Sequence, residues 1–380
     1  MQTLKIGLVL DDSLDSTDGV QQYVLTLGDW LSSQGHEVHY LVGQTKRQDI
    51  PHLHSLSRNM GVRFNGNRMT MPLPASKRKI RALLAAEKFD VLHVQVPYSP
   101  FLAGRIVKAA SKNTAVVGTF HILPVSPVVR LANRLLRLLV WRTLRRFDQI
   151  MSVSSAAQTF VQNIYHTESV VVPNTAPLQA FYHAKPFPEY SNVQTIVFLG
   201  RLVERKGCMY LLRAVHSLHA AGTLAGEDVR VIICGGGPLD SALKQYVREH
   251  DLGRIVTFAG RVSEADKPRY LASADVVVFP STGGESFGIV LLEAMAAARG
   301  VVLAGDNPGY ASVMAPRPQA LFNPKHIPSF ATLLADALED KNSRLQARAW
   351  QAQYVRQFDV TAVGIRVVAE YTSALHKRQA

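Results

Sequence analysis

The feature that most restricts this chain is an alternation, present twice, of short β-rich runs and longer helical ones. In the first half LKIGLVL, EVHYLVG, VLHVQV and AVVGTF read as strands, with helical stretches such as VQQYVLTLGDWLSSQG between them. In the second half TIVFLG, VRVIICGG, IVTFAG and ADVVVFP repeat the pattern, with helices around CMYLLRAVHSLHAAG, LDSALKQYVREHD and ESFGIVLLEAMAAARG. Strands separated by helices pair in parallel, with the helices as crossovers on the faces of the sheet. Two such halves in 380 residues predict an α/β chain of two doubly wound, Rossmann-like domains. The boundary is expected in VVPNTAPLQAFYHAKPFPEYSN, residues 171–192, which is rich in proline and polar residues and leaves domains over 1–175 and 190–358. In open α/β sheets ligands bind beyond the carboxyl ends of the strands, so the loops that follow strands should hold the functional residues.

Composition narrows the class. With 47% hydrophobic and 19% charged residues the chain is a folded protein and not a disordered one. Its two cysteines, Cys208 and Cys234, have no metal-type spacing and suggest no disulfide framework, so a reduced, cytosolic compartment is expected. The N-terminal MQTLKIGLVLDDS contains Lys5 and runs into two aspartates instead of a small-residue cleavage site, unlike a signal peptide. No uninterrupted stretch reaches the roughly 18 apolar residues of a spanning helix. The formal charge of +13 implies an anionic partner: nucleic acid, anionic lipid or a phosphorylated substrate.

The placement of unusual residues chooses among these. GRLVERKG, residues 200–207, follows the strand TIVFLG and sets Arg201 and Lys206 to meet an anion; a solvated basic loop is the alternative. CGGGPLDSALKQ, residues 234–245, includes Gly236 and allows close backbone approach, although glycines also simply make tight turns. GGESFGIVLLEAMAA, residues 283–297, is the strongest signal. Gly283 and Gly284 permit a sharp turn into a helix, and backbone amides around Ser286, Phe287, Gly288 and Ile289 would face a phosphate. Helical rise would set Glu293 about 10–12 Å beyond Glu285, the span of a folded-back nucleotide sugar. One carboxylate would accept from sugar hydroxyls and the other from the ribose diol. The alternative gives Glu285 a capping role and Glu293 a solvated face.

In the first half, DDSLDSTDGVQQYV follows the first strand, with Gly19 at a loop-to-helix transition. His93 and His121 lie at or near strand ends, where histidines can bond sugar hydroxyls or handle protons, but are more often structural. RLANRLLRLLVWRTLRRF, residues 130–147, threads Arg130, Arg134, Arg137, Arg142, Arg145 and Arg146 through leucines, Trp141 and Phe147 without one acid. That pattern suits a helix lying in a membrane interface, and KRKIRALL at 77–84 adds a second basic cluster. A helix packed on the sheet with a basic outer face is the alternative. Nucleic acid is not expected, because no recognised binding motif is present.

Together these residues resemble the family 4 retaining glycosyltransferases of the GT-B fold. The family's two glutamates, separated by seven residues, match Glu285 and Glu293, and its donor-phosphate pair matches Arg201 and Lys206. With DGVQQYV, FDVLHVQVPYSP and GTFHILP, the chain looks most like phosphatidylinositol mannosyltransferases along nearly its whole length. The resemblance implies two domains facing a central crevice and closing on their substrates, a GDP-mannose donor, no tightly bound cofactor and no metal. It further implies a lipid acceptor at the inner face of the cell membrane and a last helix, about 360–376, packed on the N-terminal domain. By position, Gly19 and Gln21 would meet the acceptor head group, and His121 would lie between acceptor and transferred sugar. Glu285 would bind the mannose hydroxyls and Glu293 the ribose. Two departures stand out: Asp18 replaces a usual glycine and would repel a phosphate, and Arg299-Gly300 replaces a usual glycine followed by proline or a small residue. The runner-up reading keeps the fold but makes it a related hexosyltransferase using a UDP-sugar on another lipid or glycan acceptor, and a non-catalytic anionic membrane or nucleic-acid binder is the reading from another class.

Overall fold

The computed structural model describes residues 3–15, 18–64, 67–73, 75–123, 127–224 and 229–379. Ser16 and Thr17 of the first loop, and Pro124 of GTFHILP, lie outside the described residues. The chain divides into two compact units, residues 1–176 with 360–380, and residues 177–359.

The first unit is built on β1 (Lys5–Leu10), β2 (Glu37–Val42), β3 (Leu53–Ser55), β6 (Val91–Val94), β7 (Ala115–Phe120), β8 (Gln149–Ser152) and β9 (Val170–Val171). They form one sheet in the order β3-β2-β1-β6-β7-β8-β9, and every pairing is parallel. A separate antiparallel hairpin pairs β4 (Asn59–Phe64) with β5 (Asn67–Pro72). Helices cover both faces of a parallel sheet, so its strands bury both sides and read as continuous apolar runs. All six residues of β7 are buried, as are five of six in β1. The helix Val360–Gln379 completes this unit: Val363, Val367, Tyr371 and Ala374 share a core with Leu8, Tyr23, Trp30, Val117 and Met151.

The second unit has β10 (Gln194–Leu199), β11 (Val229–Cys234), β12 (Val256–Gly260), β13 (Val276–Phe279), β14 (Val301–Gly305) and β15 (Leu321–Phe322). Their order is β12-β11-β10-β13-β14-β15, again parallel throughout. The strand order reverses between β1 and β6 in one unit and between β10 and β13 in the other. At such a switch point the connections leave toward opposite faces of the sheet, and a crevice for a ligand lies beyond the strand ends. Cys208 and Cys234 are free and buried; burial pushes both thiols up, that of Cys234 to about 12, so neither forms a thiolate at neutral pH.

Candidate active site

In the second unit the loops after β10 and β13 are clamped together. Glu204–Lys206 make one 3-10 turn, and Gly207 ends it at φ 74°. A Cβ at 207 would stand 1.9 Å from the Pro280 carbonyl oxygen, so both the left-handed backbone and the close approach require glycine. The Thr282 amide donates to the Arg205 carbonyl at 2.8 Å, and Leu202 donates to the Gly236 carbonyl at 3.1 Å, which ties in the loop after β11.

That clamp delivers two cations to Glu285. Its Oε1 accepts from Arg205 Nη1 at 2.7 Å, Lys206 Nζ at 2.9 Å and Ser281 Oγ at 2.9 Å. Burial pushes the carboxyl up, but the Lys206 ammonium and Arg205 guanidinium, with hydrogen bonds from Lys206 and Ser281, outweigh it and hold the group below its ordinary value. Glu285 is therefore a fixed anion at neutral pH, with three donors on one oxygen. Arg205 was not singled out in the sequence, although it lies within GRLVERKG; the turn of Glu204–Lys206, not the spacing, aims it inward. Arg201 is partly exposed and makes no ion pair among the described residues.

The helix following Glu285 is shorter than its sequence suggests. It spans Ile289–Ala297, so Glu285, Ser286 and Phe287 lie in the preceding loop and the helical rise does not measure the separation of the two glutamates. The cause is Gly288, the N-cap residue, at φ 108°, where an added Cβ would also lie 2.7 Å from the Tyr310 ring. Its N-cap residue, Gly288, supplies no side-chain cap, so the amides of the first turn remain suited to an anion. Phe287 is buried, with its ring 5.7 Å from that of Phe358. Glu293 is buried too, and its Oε1 accepts from Lys267 Nζ at 2.8 Å; Lys267 also reaches Glu264 at 2.9 Å. Lys267 is another residue the sequence did not flag, being 26 positions from its partner.

The first unit gathers its own polar group. His121 is buried just past β7, its Nε2 is 2.9 Å from Gln95 Oε1, and the Tyr23 ring meets it edge-on at 4.9 Å. Burial, opposed by the Asn174 side chain, lowers its pKa to about 3, so the ring is neutral. Gln95 Nε2 donates to the His93 carbonyl at 3.5 Å, which turns Oε1 toward the histidine and assigns the proton to Nε2. His121 Nδ1 is then an acceptor; it is buried without a hydrogen bond of normal geometry among the described residues, although the Asn174 side chain stands close to the ring. A ligand hydroxyl is the donor such an atom lacks. His93, by contrast, is fully buried between Tyr371 and Thr119, each at 2.7 Å, and serves the core. Gly19 is exposed at the first position of the helix Gly19–Ser33, and Asp18 is its N-cap residue. Gln21 is buried and donates to Asp12 at 3.1 Å. Asp11 turns into the fold, where it accepts from Ser99 and, at 2.6 Å, from the Ala103 amide.

Comparison with known proteins places this geometry. Residues 17–179 match the model for Glycosyltransferase Family 4, and residues 183–353 match that for glycosyl transferases group 1. The phosphatidyl-myo-inositol mannosyltransferase of Mycolicibacterium smegmatis is 32% identical over 97% of this chain and 93% of its own length. The chain is a family 4 glycosyltransferase. The Mycobacterium tuberculosis protein of the same name is 31% identical, over 97% of this glycosyltransferase and 96% of that protein. Among solved structures, a Rickettsia africae glycosyltransferase superposes with a TM-score of 0.76 at 16% identity, covering 99% of both chains. Anabaena HepE with UDP-glucose gives 0.74 at 18% identity, over 97% of this chain and 100% of that one. The fold is GT-B.

Two further features of this glycosyltransferase bear on its substrates. Arg299 pairs with Asp275 at 2.7 Å and donates to the carbonyls of Tyr190 and Val193, so its side chain fastens a chain segment within the unit. The helix Pro127–Leu144 buries Asn133, Val140 and Thr143 but exposes Val128, Leu131, Leu135, Leu138, Leu139 and Trp141. Arg130, Arg134, Arg142 and Arg145 are exposed beside them, Arg137 is half-buried, and the Arg142 and Arg145 guanidiniums lie 5.3 and 5.5 Å from the Trp141 ring centre. Arg146 does not belong with this group. It lies past the helix end, donates to the Ser111 and Thr114 carbonyls and pairs with Asp148 at 3.3 Å, because the chain turns there into β8. Among the described residues no helix is long and apolar enough to cross a membrane.

Proposed function

We propose that this glycosyltransferase moves mannose from GDP-mannose to phosphatidylinositol, with retention of configuration, while resting on the inner face of the membrane. The observation that carries the reading is Glu285: a carboxylate held ionised by Lys206 and Arg205 beside an uncapped helix start. An ionised acceptor binds the paired hydroxyls of a sugar strongly, and the helix start with Arg201 and Lys206 suits the leaving diphosphate. Glu293, positioned by Lys267, is assigned to the ribose diol. Ser286, Phe287, Gly288, Ile289 and Gly236 supply backbone around the donor.

His121 takes an acceptor hydroxyl at Nδ1, and Gly19 and Gln21 are assigned to the acceptor head group. Catalysis then rests on holding the groups in place and stabilising the diphosphate. The names of the full-length relatives support mannose and phosphatidylinositol. The exposed leucines and arginines of Pro127–Leu144 support a membrane surface: apolar side chains enter the acyl boundary and guanidiniums meet lipid phosphates. A donor panel in the presence of phosphatidylinositol vesicles tests the reading. Turnover of GDP-mannose supports it, and turnover of UDP-sugars alone replaces the donor assignment.

A further inference from the structure

The edge of the first sheet carries a second polar cluster, apart from the residues assigned above to donor and acceptor. His39 lies on β2 and is buried; His54 lies on the three-residue edge strand β3. In the parallel register His54 stands opposite Leu41, so its side chain and that of His39, two residues back, share one face. The two rings stack at 5.2 Å and 12°, and His39 Nδ1 is 2.9 Å from His54 Nε2. Glu87, the last residue of the helix Lys77–Glu87, brings a carboxylate to the same place. One ligand atom from each of His39, His54 and Glu87 lies within 4.8 Å of the others, and among the described residues this is the one such trio. His52 stacks on His39 at 4.5 Å from a left-handed backbone position, φ 51°, uncommon for a non-glycine residue.

We propose that His39, His54 and Glu87 form a binding site for a divalent transition ion of the zinc class. Two imidazole nitrogens and one carboxylate are the donor set such ions prefer, with a fourth position left for water. Tetrahedral zinc holds nitrogens about 3.3 Å apart at bond lengths of 2.0–2.1 Å, so the pair must give up its hydrogen bond, part by a few tenths of an ångström and turn both lone pairs to the ion. The ion would fasten the helix end at Glu87 to β2 and β3, which the parallel backbone ladder already joins to each other. Two contacts oppose it: His39 Nε2 lies 2.9 Å from Glu37 Oε1, and Lys5 Nζ lies 2.6 Å from Glu87 and 2.8 Å from Glu37. A like charge so close must give way to the ion, which sets the affinity in a moderate range.

Calorimetric titration of the untagged full chain with zinc chloride tests the proposal, with cobalt(II) absorption as a second readout. One zinc should bind per chain and cobalt should give tetrahedral d–d bands. His54→Gln and Glu87→Gln should each weaken zinc by at least about tenfold, with the far-ultraviolet spectrum unchanged. Lys5→Gln should tighten it, a result that a merely structural cluster does not produce. Absence of zinc binding overturns the site, as does wild-type zinc affinity in both His54→Gln and Glu87→Gln, which would trace the ion to histidines elsewhere.

Discussion

At the scale of single residues, the site is governed by which charges are fixed. Glu285 remains an anion although burial opposes it, because Lys206 and Arg205 both meet its Oε1. Glu285→Gln keeps the shape but removes the charge, and should lower transfer by about a hundredfold or more while the circular dichroism spectrum is kept. Unchanged turnover would remove Glu285 from the sugar. Gly207→Ala should cost about 1–3 kcal/mol, read from the chemical-denaturation midpoint, since its Cβ would meet the Pro280 carbonyl at 1.9 Å.

The buried histidines set a pH dependence. His93 and His121 have folded pKa values of about 3 against an ordinary 6.5, so the unfolded chain binds more protons in that window and stability falls as pH drops through it. Asp11 acts the other way: burial, opposed by bonds from Ser99 and Ala103, raises it from 3.8 to about 6, so its protonation favours the folded chain across that smaller window. His121→Gln should therefore flatten the acid limb of the stability profile by up to about 1.4 kcal/mol per pH unit. An unchanged slope would mean that His121 is not held neutral by the fold.

At the scale of elements, the helix Pro127–Leu144 and the residues after it separate two kinds of arginine. Replacing Arg130, Arg134 and Arg142 together should weaken binding to anionic vesicles, most at low salt. Arg146→Gln should instead lower the melting temperature and leave vesicle binding alone, because that guanidinium holds the Ser111 and Thr114 carbonyls. Equal effects of the two changes on vesicle binding would contradict the division. The sequence could not make this separation, since all six arginines fall in one acid-free run and the helix end at Leu144 has no composition signal. The strands were legible because parallel sheets bury both faces and leave unbroken apolar runs. The helix start was misjudged by about a turn, because Gly288 delays it through a left-handed backbone that glycine permits but does not announce. Arg205 and Lys267 escaped for a related reason: an ion pair between loops depends on tertiary closeness, and Lys267 sits on a different helix from Glu293.

At the scale of the whole molecule, the chain returns to its first unit for its last twenty residues of helix, and Val363, Val367 and Tyr371 fill the core beside Trp30 and Met151. A chain ending at Asp359 should thus lose the cooperative unfolding of the first unit, seen as missing hydrogen-exchange protection in β1 and β7. The two units also divide the chemistry, with the fixed anion and uncapped helix in one and the neutral histidine and exposed basic helix in the other. The measurement that tests the account most directly is mass spectrometry of lipid recovered after incubating the purified protein with GDP-mannose and phosphatidylinositol vesicles. The account predicts a phosphatidylinositol carrying one added hexose, absent with Glu285→Gln. A lipid left unmodified by GDP-mannose, while a UDP-sugar is consumed on another acceptor, would contradict it.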